Sequence, residues 1–202
     1  MWPVIYDFGI IRFLGFEFHL AIYSYGFMLV VAFYTCYALL LKEMRRLGYG
    51  DKLASDILTA AAIGGIVGSK IYYLLENFDR VLGDPTGMIF SGAGLVFLGG
   101  LMGGTLGVTI VLKKNDLPWL TFADIVAPLL ILGYAIGRVG CFLVGDDYGL
   151  PTKFLIGMTF ENGAPPTTYG SFTYNYPWVD LSGWNSGDVI TVFPTQIMET
   201  II

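Results

Sequence analysis

An arginine, Arg138, stands near the far end of the apolar stretch 124–149, with Gly137 before it and Gly140 two residues after it. A guanidinium placed in hydrocarbon costs roughly 2.5–3.5 kcal/mol on insertion scales. It cannot escape by losing its proton, because its pKa is too high. It therefore needs an anion. Its planar fork matches phosphate oxygens, and the flanking glycines leave room for a ligand or a backbone to come close. Two readings stay open. Arg138 binds a lipid phosphate, or it is a structural arginine paired with Asp124, Asp146 or Glu199.

Other polar residues fall near the apolar runs. Lys70, about five residues from the end of its run, either snorkels to the interface or faces inward as a second phosphate contact. Asp124 lies at the start of its run and reads as a helix N-terminal acid. Asp146 and Asp147 follow the end of that run and read as solvated, with Asp146 close enough in sequence to orient Arg138. Cys141, three residues after Arg138, reads as a small apolar group before it reads as a nucleophile. In Pro194-Thr195-Gln196 and Glu199, Gln196 and Glu199 share a helical face and mark a polar interior. His19 is the single histidine, which excludes a multi-histidine zinc site. The two cysteines, Cys36 and Cys141, both lie in apolar runs and do not form a disulfide framework. No metal and no organic cofactor are expected.

The elements that must position these residues are membrane helices. Of 202 residues, 55% are hydrophobic and only 13% charged, against about 25% charged in a soluble domain. A net charge of −5 argues against nucleic acid as a partner. Apolar runs near the roughly 20 residues needed to cross a bilayer occupy residues 20–41, 53–75, 94–112 and 122–144. The expected fold is all-α: a single polytopic membrane domain, a helical bundle with an irregular extracytoplasmic (periplasmic) segment over 145–190. A fifth run over 192–202 reads as an incomplete span, so the sequence is expected to be a piece of a longer chain. The first run, with no small-residue cleavage pattern after it, reads as a retained helix.

Loop charges orient the spans. Lys42, Arg45, Arg46, Lys52, Lys113 and Lys114 lie on one side, and Arg12, Arg80 and Lys153 on the other. The positive-inside rule makes the first side cytoplasmic and the N-terminus extracytoplasmic. Residues 1–17 read as a short interfacial helix or turn. In the outer segment, Tyr148, Tyr169, Tyr174, Tyr176, Trp178 and Trp184 suit the headgroup layer. The dense glycines of the third run, Gly99 and Gly100 among them, read as tight helix packing, with a groove for an acyl chain as the alternative.

The stretch Gly137-Arg138-Val139-Gly140-Cys141-Phe142-Leu143-Val144-Gly145-Asp146-Asp147-Tyr148-Gly149 resembles the signature of bacterial prolipoprotein diacylglyceryl transferases. Ile22-Tyr23-Ser24-Tyr25-Gly26, Gly68-Ser69-Lys70-Ile71-Tyr72-Tyr73, Gly99-Gly100-Leu101-Met102-Gly103, Ala123-Asp124-Ile125-Val126-Ala127-Pro128 and Pro194-Thr195-Gln196 resemble further family blocks, in the family's order. The resemblance implies transfer of a diacylglyceryl group from phosphatidylglycerol to the thiol of a lipobox cysteine in a prolipoprotein, within the bacterial inner membrane. It implies that Arg138 binds the lipid phosphate, with Lys70, Tyr25, Gly149 and Gln196 as further substrate contacts. Asp124, Gly99 and Gly100 are structural on this reading. Asp146 stands where the family usually has Glu. The family's histidines are replaced by Tyr23, Leu98 and Phe193, its second-span arginine by Lys70, its signature asparagine by Cys141 and a later tyrosine by Met198. Asp146, Glu199 and His19 remain as candidate bases. The alternatives are a non-catalytic phospholipid-binding homologue that has lost the base and, more remotely, half of a small-solute transporter.

Overall fold

The computed structural model describes residues 1–13, 16–90 and 96–201, and for 11–13, 16–19 and 90 it describes the backbone. Among the described residues, four helices are long and apolar enough to cross a membrane: α1 (Ser24–Arg46), α2 (Asp51–Glu76), α5 (Phe97–Lys114) and α6 (Trp119–Val144). Short helices α3 (Phe78–Gly83) and α4 (Pro85–Phe90) lie between α2 and α5, and α7 (Tyr169–Asn175) and α8 (Thr195–Ile201) follow α6. The chain is a multi-pass, essentially all-helical membrane protein. Many large apolar side chains of the four long helices are exposed, such as Ile66, Leu106 and Ile131. Such surfaces suit lipid, not water.

The ends of these helices follow local chemistry. Beyond α1, Gly48 takes a left-handed φ of 81° and Tyr49 N–H donates to Met44 O at 2.8 Å, a turn that glycine tolerates best. Arg45 and Arg46 occupy the last turn of α1, where the helix dipole favours cations. Pro118 precedes α6, so that helix begins at Trp119 and its first turn holds no acid. Asp124 therefore sits in the second turn, exposed, and is not the capping acid that the sequence led us to expect.

The described residues form two compact units, Met1–Cys36 with Leu130–Ile202, and Tyr37–Leu129. In the second unit a core gathers Leu40 and Met44 of α1, Ala54 and Ile57 of α2, Leu112 of α5 and Phe122 of α6. Helices α2 and α5 pack through facing glycines. A Cβ on Gly103 would collide with Gly64 O, and one on Gly68 with Gly99 O. One on Gly100 would lie 2.6 Å from Ser69 Oγ. Small residues four apart allow this approach, and Ser69 adds a hydrogen bond to Val96 O at 2.9 Å. Beside the contact runs an apolar furrow of about 540 Å³.

In the first unit, the N-terminal segment differs from the expected interfacial helix or turn. Residues Val4–Phe13 (β1) and Phe16–Tyr23 (β2) form an antiparallel hairpin in which Phe13 pairs with Phe16. The physical reason is composition: the segment is rich in Ile, Phe and Tyr, which favour strands. The register shifts between Asp7 and Gly9. There Gly9 takes φ 76° and donates to Asp7 Oδ1 at 2.8 Å, forming a glycine bulge. Residues 20–23 accordingly belong to β2, and the first span starts at Ser24.

After α6, residues 145–194 are mostly irregular but compact. Isolated bridges join Pro151 and Met158 to Val192, and Thr168 to Val189. Phe160, Phe172, Leu181, Ile190 and Val192 form a buried core, with Tyr148, Tyr169, Tyr176 and Trp184 packed on it. Only Tyr174 and Trp178 of the six aromatics expected at the headgroup layer are strongly exposed. The segment uses the other four to build its own interior.

Candidate functional site

Arg138 lies in the last two turns of α6, with its side chain only 12% exposed. Its Nη1 donates to Asp147 Oδ2 at 3.0 Å. Its Nε lies 2.8 Å from Glu199 Oε2, close enough for strong ion pairing, although the N–H makes no hydrogen bond there. Of the partners expected under the structural reading, Glu199 is present. Asp147, not Asp124 or Asp146, is the other. Tyr134 sits one turn before Arg138, its ring 5.8 Å from the guanidinium carbon, and its hydroxyl donates to the same Glu199 oxygen. The sequence reading missed Tyr134 as a site residue. The signal was available in its i−4 spacing from Arg138.

Backbone geometry after α6 sets up the acids. Gly145 and Asp147 both take left-handed φ angles, 77° and 51°. Asp tolerates this region better than most residues, and the turn brings the Asp147 carboxylate back to Arg138. The start of α8 closes the turn. Thr195 Oγ1 donates to Asp147 O at 2.8 Å, and the fully buried Gln196 donates through Nε2 to Asp146 O. Gly149 makes room for this closure: its N–H donates to Phe193 O at 2.9 Å, and an added Cβ would lie 2.7 Å from Thr195 Cγ2.

Helix α1 completes the unit's site. A Cβ on Gly140 would lie 3.1 Å from Met28 Cβ and 3.4 Å from Tyr25 Cδ2, whereas one on Gly137 would meet open space. Gly140 thus serves helix packing, and Gly137 borders open space. Tyr25 lies within electrostatic range of Arg138, Asp146 and Asp147. Lys70, Gly99 and Gly100 belong to the other unit, where the Lys70 ammonium sits 5.4 Å from the Tyr73 ring centre. The side chain of His19 lies outside the described residues.

The electrostatics favour proton uptake at one carboxyl. Burial pushes Asp146 above its ordinary carboxylate range, and the neighbouring Asp147 adds to the shift. Asp146 Oδ1 and Gln196 Oε1 are buried and accept no hydrogen bond among the described residues. Ligand atoms of Cys141, Asp146 and Asp147 lie within 4.8 Å of one another. A metal cation placed there would face Arg138, which already neutralises Asp147, at like-charge cost. The arrangement is better suited to an anion exchanged for a carboxylate at Arg138. Asp147 is the readier to leave: its side chain is 64% exposed, against 37% for Glu199, and water can take up its charge.

Comparison with known proteins places the chain in a family. Residues 13–202 match the sequence profile of the family described as prolipoprotein diacylglyceryl transferase. The chain is 34% identical over 145 residues to a phosphatidylglycerol–prolipoprotein diacylglyceryl transferase of Clostridium tetani, covering 72% of this chain and 58% of that one. It is 38% identical over 149 residues to the corresponding protein 2 of Clostridium perfringens, with 73% and 58% covered. A Fusobacterium nucleatum relative of the same description is 31% identical over 187 residues, with 87% and 62% covered. The chain thus spans about three fifths of the length of these relatives. Because the profile match takes in nearly all of the chain, Arg138 and the turn after it included, the chain belongs to the prolipoprotein diacylglyceryl transferase family.

Proposed function

We propose that this protein transfers the diacylglyceryl group of phosphatidylglycerol to the lipobox cysteine thiol of a prolipoprotein, in the bacterial inner membrane and with its N-terminus extracytoplasmic. The observation that carries this reading is Arg138. It is a largely buried guanidinium at the end of an apolar span, with one highly exposed carboxylate partner and open space at the neighbouring Gly137. The relatives' names supply the substrate pair.

On this reading the lipid phosphate takes the place of Asp147 on Arg138, while Glu199 stays bound between Tyr134 and Arg138. The thiol sulfur attacks the glyceryl carbon. A C–S bond forms, the C–O bond to the phosphate breaks, and glycerol phosphate departs with the electron pair. Arg138 stabilises the charge that grows on that phosphate. The thiol proton goes to a carboxylate. Asp146 is the acceptor favoured by its burial, since a raised pKa brings a carboxyl nearer the working range of a general base. Tyr25, Gly149 and Gln196 line or brace the same turn. In the other unit, Gly99 and Gly100 are structural, packing α5 against α2.

The test is a transfer assay with full-length protein, labelled phosphatidylglycerol and a lipobox peptide. Transfer that is abolished by Arg138→Ala supports the enzyme. Phosphatidylglycerol binding without transfer would leave the non-catalytic homologue in its place.

A further inference from the structure

The turn Phe154-Leu155-Ile156 is built in a way that neither the transfer reading nor the family name explains. Three consecutive apolar side chains stand at its tip with 68%, 99% and 47% exposure. A run of exposed apolar residues in water is a fault unless something uses it. Other apolar side chains in the same segment, Phe160, Phe172 and Ile190, are buried, so the segment had an interior available and left these three out.

The turn is firmly rooted. Thr152 N–H donates to Thr191 O at 2.8 Å, and Met158 and Val192 exchange hydrogen bonds of 3.0 and 2.9 Å. Gly157 N–H closes the turn on Phe154 O at 2.9 Å. The protrusion is therefore a defined structure. Its one cation is withdrawn: Lys153 donates to Gly183 O at 2.8 Å and lies 5.4 Å from the Trp184 ring centre. What projects carries no charge.

The position of the root says what the tip meets. Val192 lies three residues before α8, and Gly149, hydrogen-bonded to Phe193, lies five residues after the membrane helix α6 ends. The root thus sits where the chain leaves and approaches the membrane. An extended chain advances at most about 3.6 Å per residue, so a tip four residues from Pro151 stays within about 15 Å of the root. A nearby, uncharged, apolar tip fits the acyl edge of a bilayer leaflet.

We infer that this turn dips into the lipid leaflet beside α6 and α8, with Phe154, Leu155 and Ile156 as its inserted side chains. Insertion pins the segment after α6 to the bilayer surface and holds the turn that carries Asp147 to Arg138, which shares Gly149 and Phe193 with the root, at headgroup depth. The inference does not depend on the transfer reading.

The test uses full-length protein in vesicles of phosphatidylethanolamine and phosphatidylglycerol. A spin label is placed at Leu155→Cys, with Ser186→Cys as an exposed comparison, in a Cys36→Ala, Cys141→Ala background whose melting is checked first. The expected result is a label at 155 that oxygen relaxes and a water-soluble nickel chelate does not, while the label at 186 shows the reverse. Access of the chelate to position 155 overturns the inference in favour of water. Access of neither reagent overturns it in favour of a protein contact, as does protection that appears only when a lipobox peptide is added. A second measurement keeps the native cysteines: trypsin cleavage after Lys153 in vesicles. Leu155→Asp is expected to speed it at least about tenfold, given the cost of an acid in the leaflet. An unchanged rate contradicts insertion.

Discussion

The Nε of Arg138 on α6 lies 2.8 Å from Glu199 Oε2 on α8. Asp147 holds the other side of the guanidinium, so one positive charge faces two negative ones. The arginine's need for an anion is met twice over within the protein. A phosphate therefore binds only by competing with a carboxylate, and the strength of that competition is measurable.

Removing a competitor should strengthen binding. Asp147→Asn is expected to raise phosphatidylglycerol affinity by about tenfold, roughly 1.4 kcal/mol, because the neutral amide no longer contends for the guanidinium. Quantitative lipid titration in detergent micelles checks this. Weaker binding would show that Asp147 acts with the lipid and not against it.

Asp146 gives a pH dependence whose sign is fixed. Its pKa in the folded protein is raised by burial, so folding takes up protons there. The stability it contributes is fully present below the ordinary aspartate value and is lost as pH rises through the raised folded value. Melting temperature should fall across that window, and Asp146→Asn should flatten the fall. If Asp146 accepts the thiol proton, transfer in the native protein should increase through the same window as the carboxyl ionises. A melting temperature indifferent to Asp146→Asn would remove the carboxyl from the account.

Close packing of α2 on α5 sets a steric prediction. Gly103→Leu puts a side chain where Gly64 O already stands. Overpacking of this kind typically costs about 1–3 kcal/mol, and the loss should appear in thermal or denaturant unfolding in detergent. Gly26→Leu, with open space around its Cβ, should cost much less.

The segment after α6 is expected to unfold around Phe160, which is fully buried, stacks with Tyr148 at 5.5 Å and meets Phe142 edge-on at 5.9 Å. Phe160→Ala should cost about 3–5 kcal/mol. Hydrogen exchange across residues 145–194 would locate the loss, and exchange confined to the immediate neighbours of residue 160 would contradict a shared core.

The four long helices were legible in the sequence because hydropathy over about 20 residues is a strong signal. Arg138 was legible because a charge in such a run stands out. The hairpin at Val4–Tyr23 was not read, since aromatic residues near a membrane suit an interfacial turn as well as a strand, and the pairing of Phe13 with Phe16 depends on cross-strand bonds. Asp147 read as solvated because its role follows from a left-handed backbone at one residue. Tyr148 and Trp184 read as interfacial because composition does not separate a small core from a headgroup layer.

The most direct measurement is the phosphatidylglycerol affinity of the full-length protein beside that of Arg138→Ala. Loss of a charge-assisted contact worth roughly 1.5–3 kcal/mol is expected to weaken binding by about 10- to 100-fold, with Arg138→Lys between the two. Equal affinity in the native protein and Arg138→Ala would show that Glu199 and Asp147 are the arginine's only purpose, and that the lipid is held elsewhere.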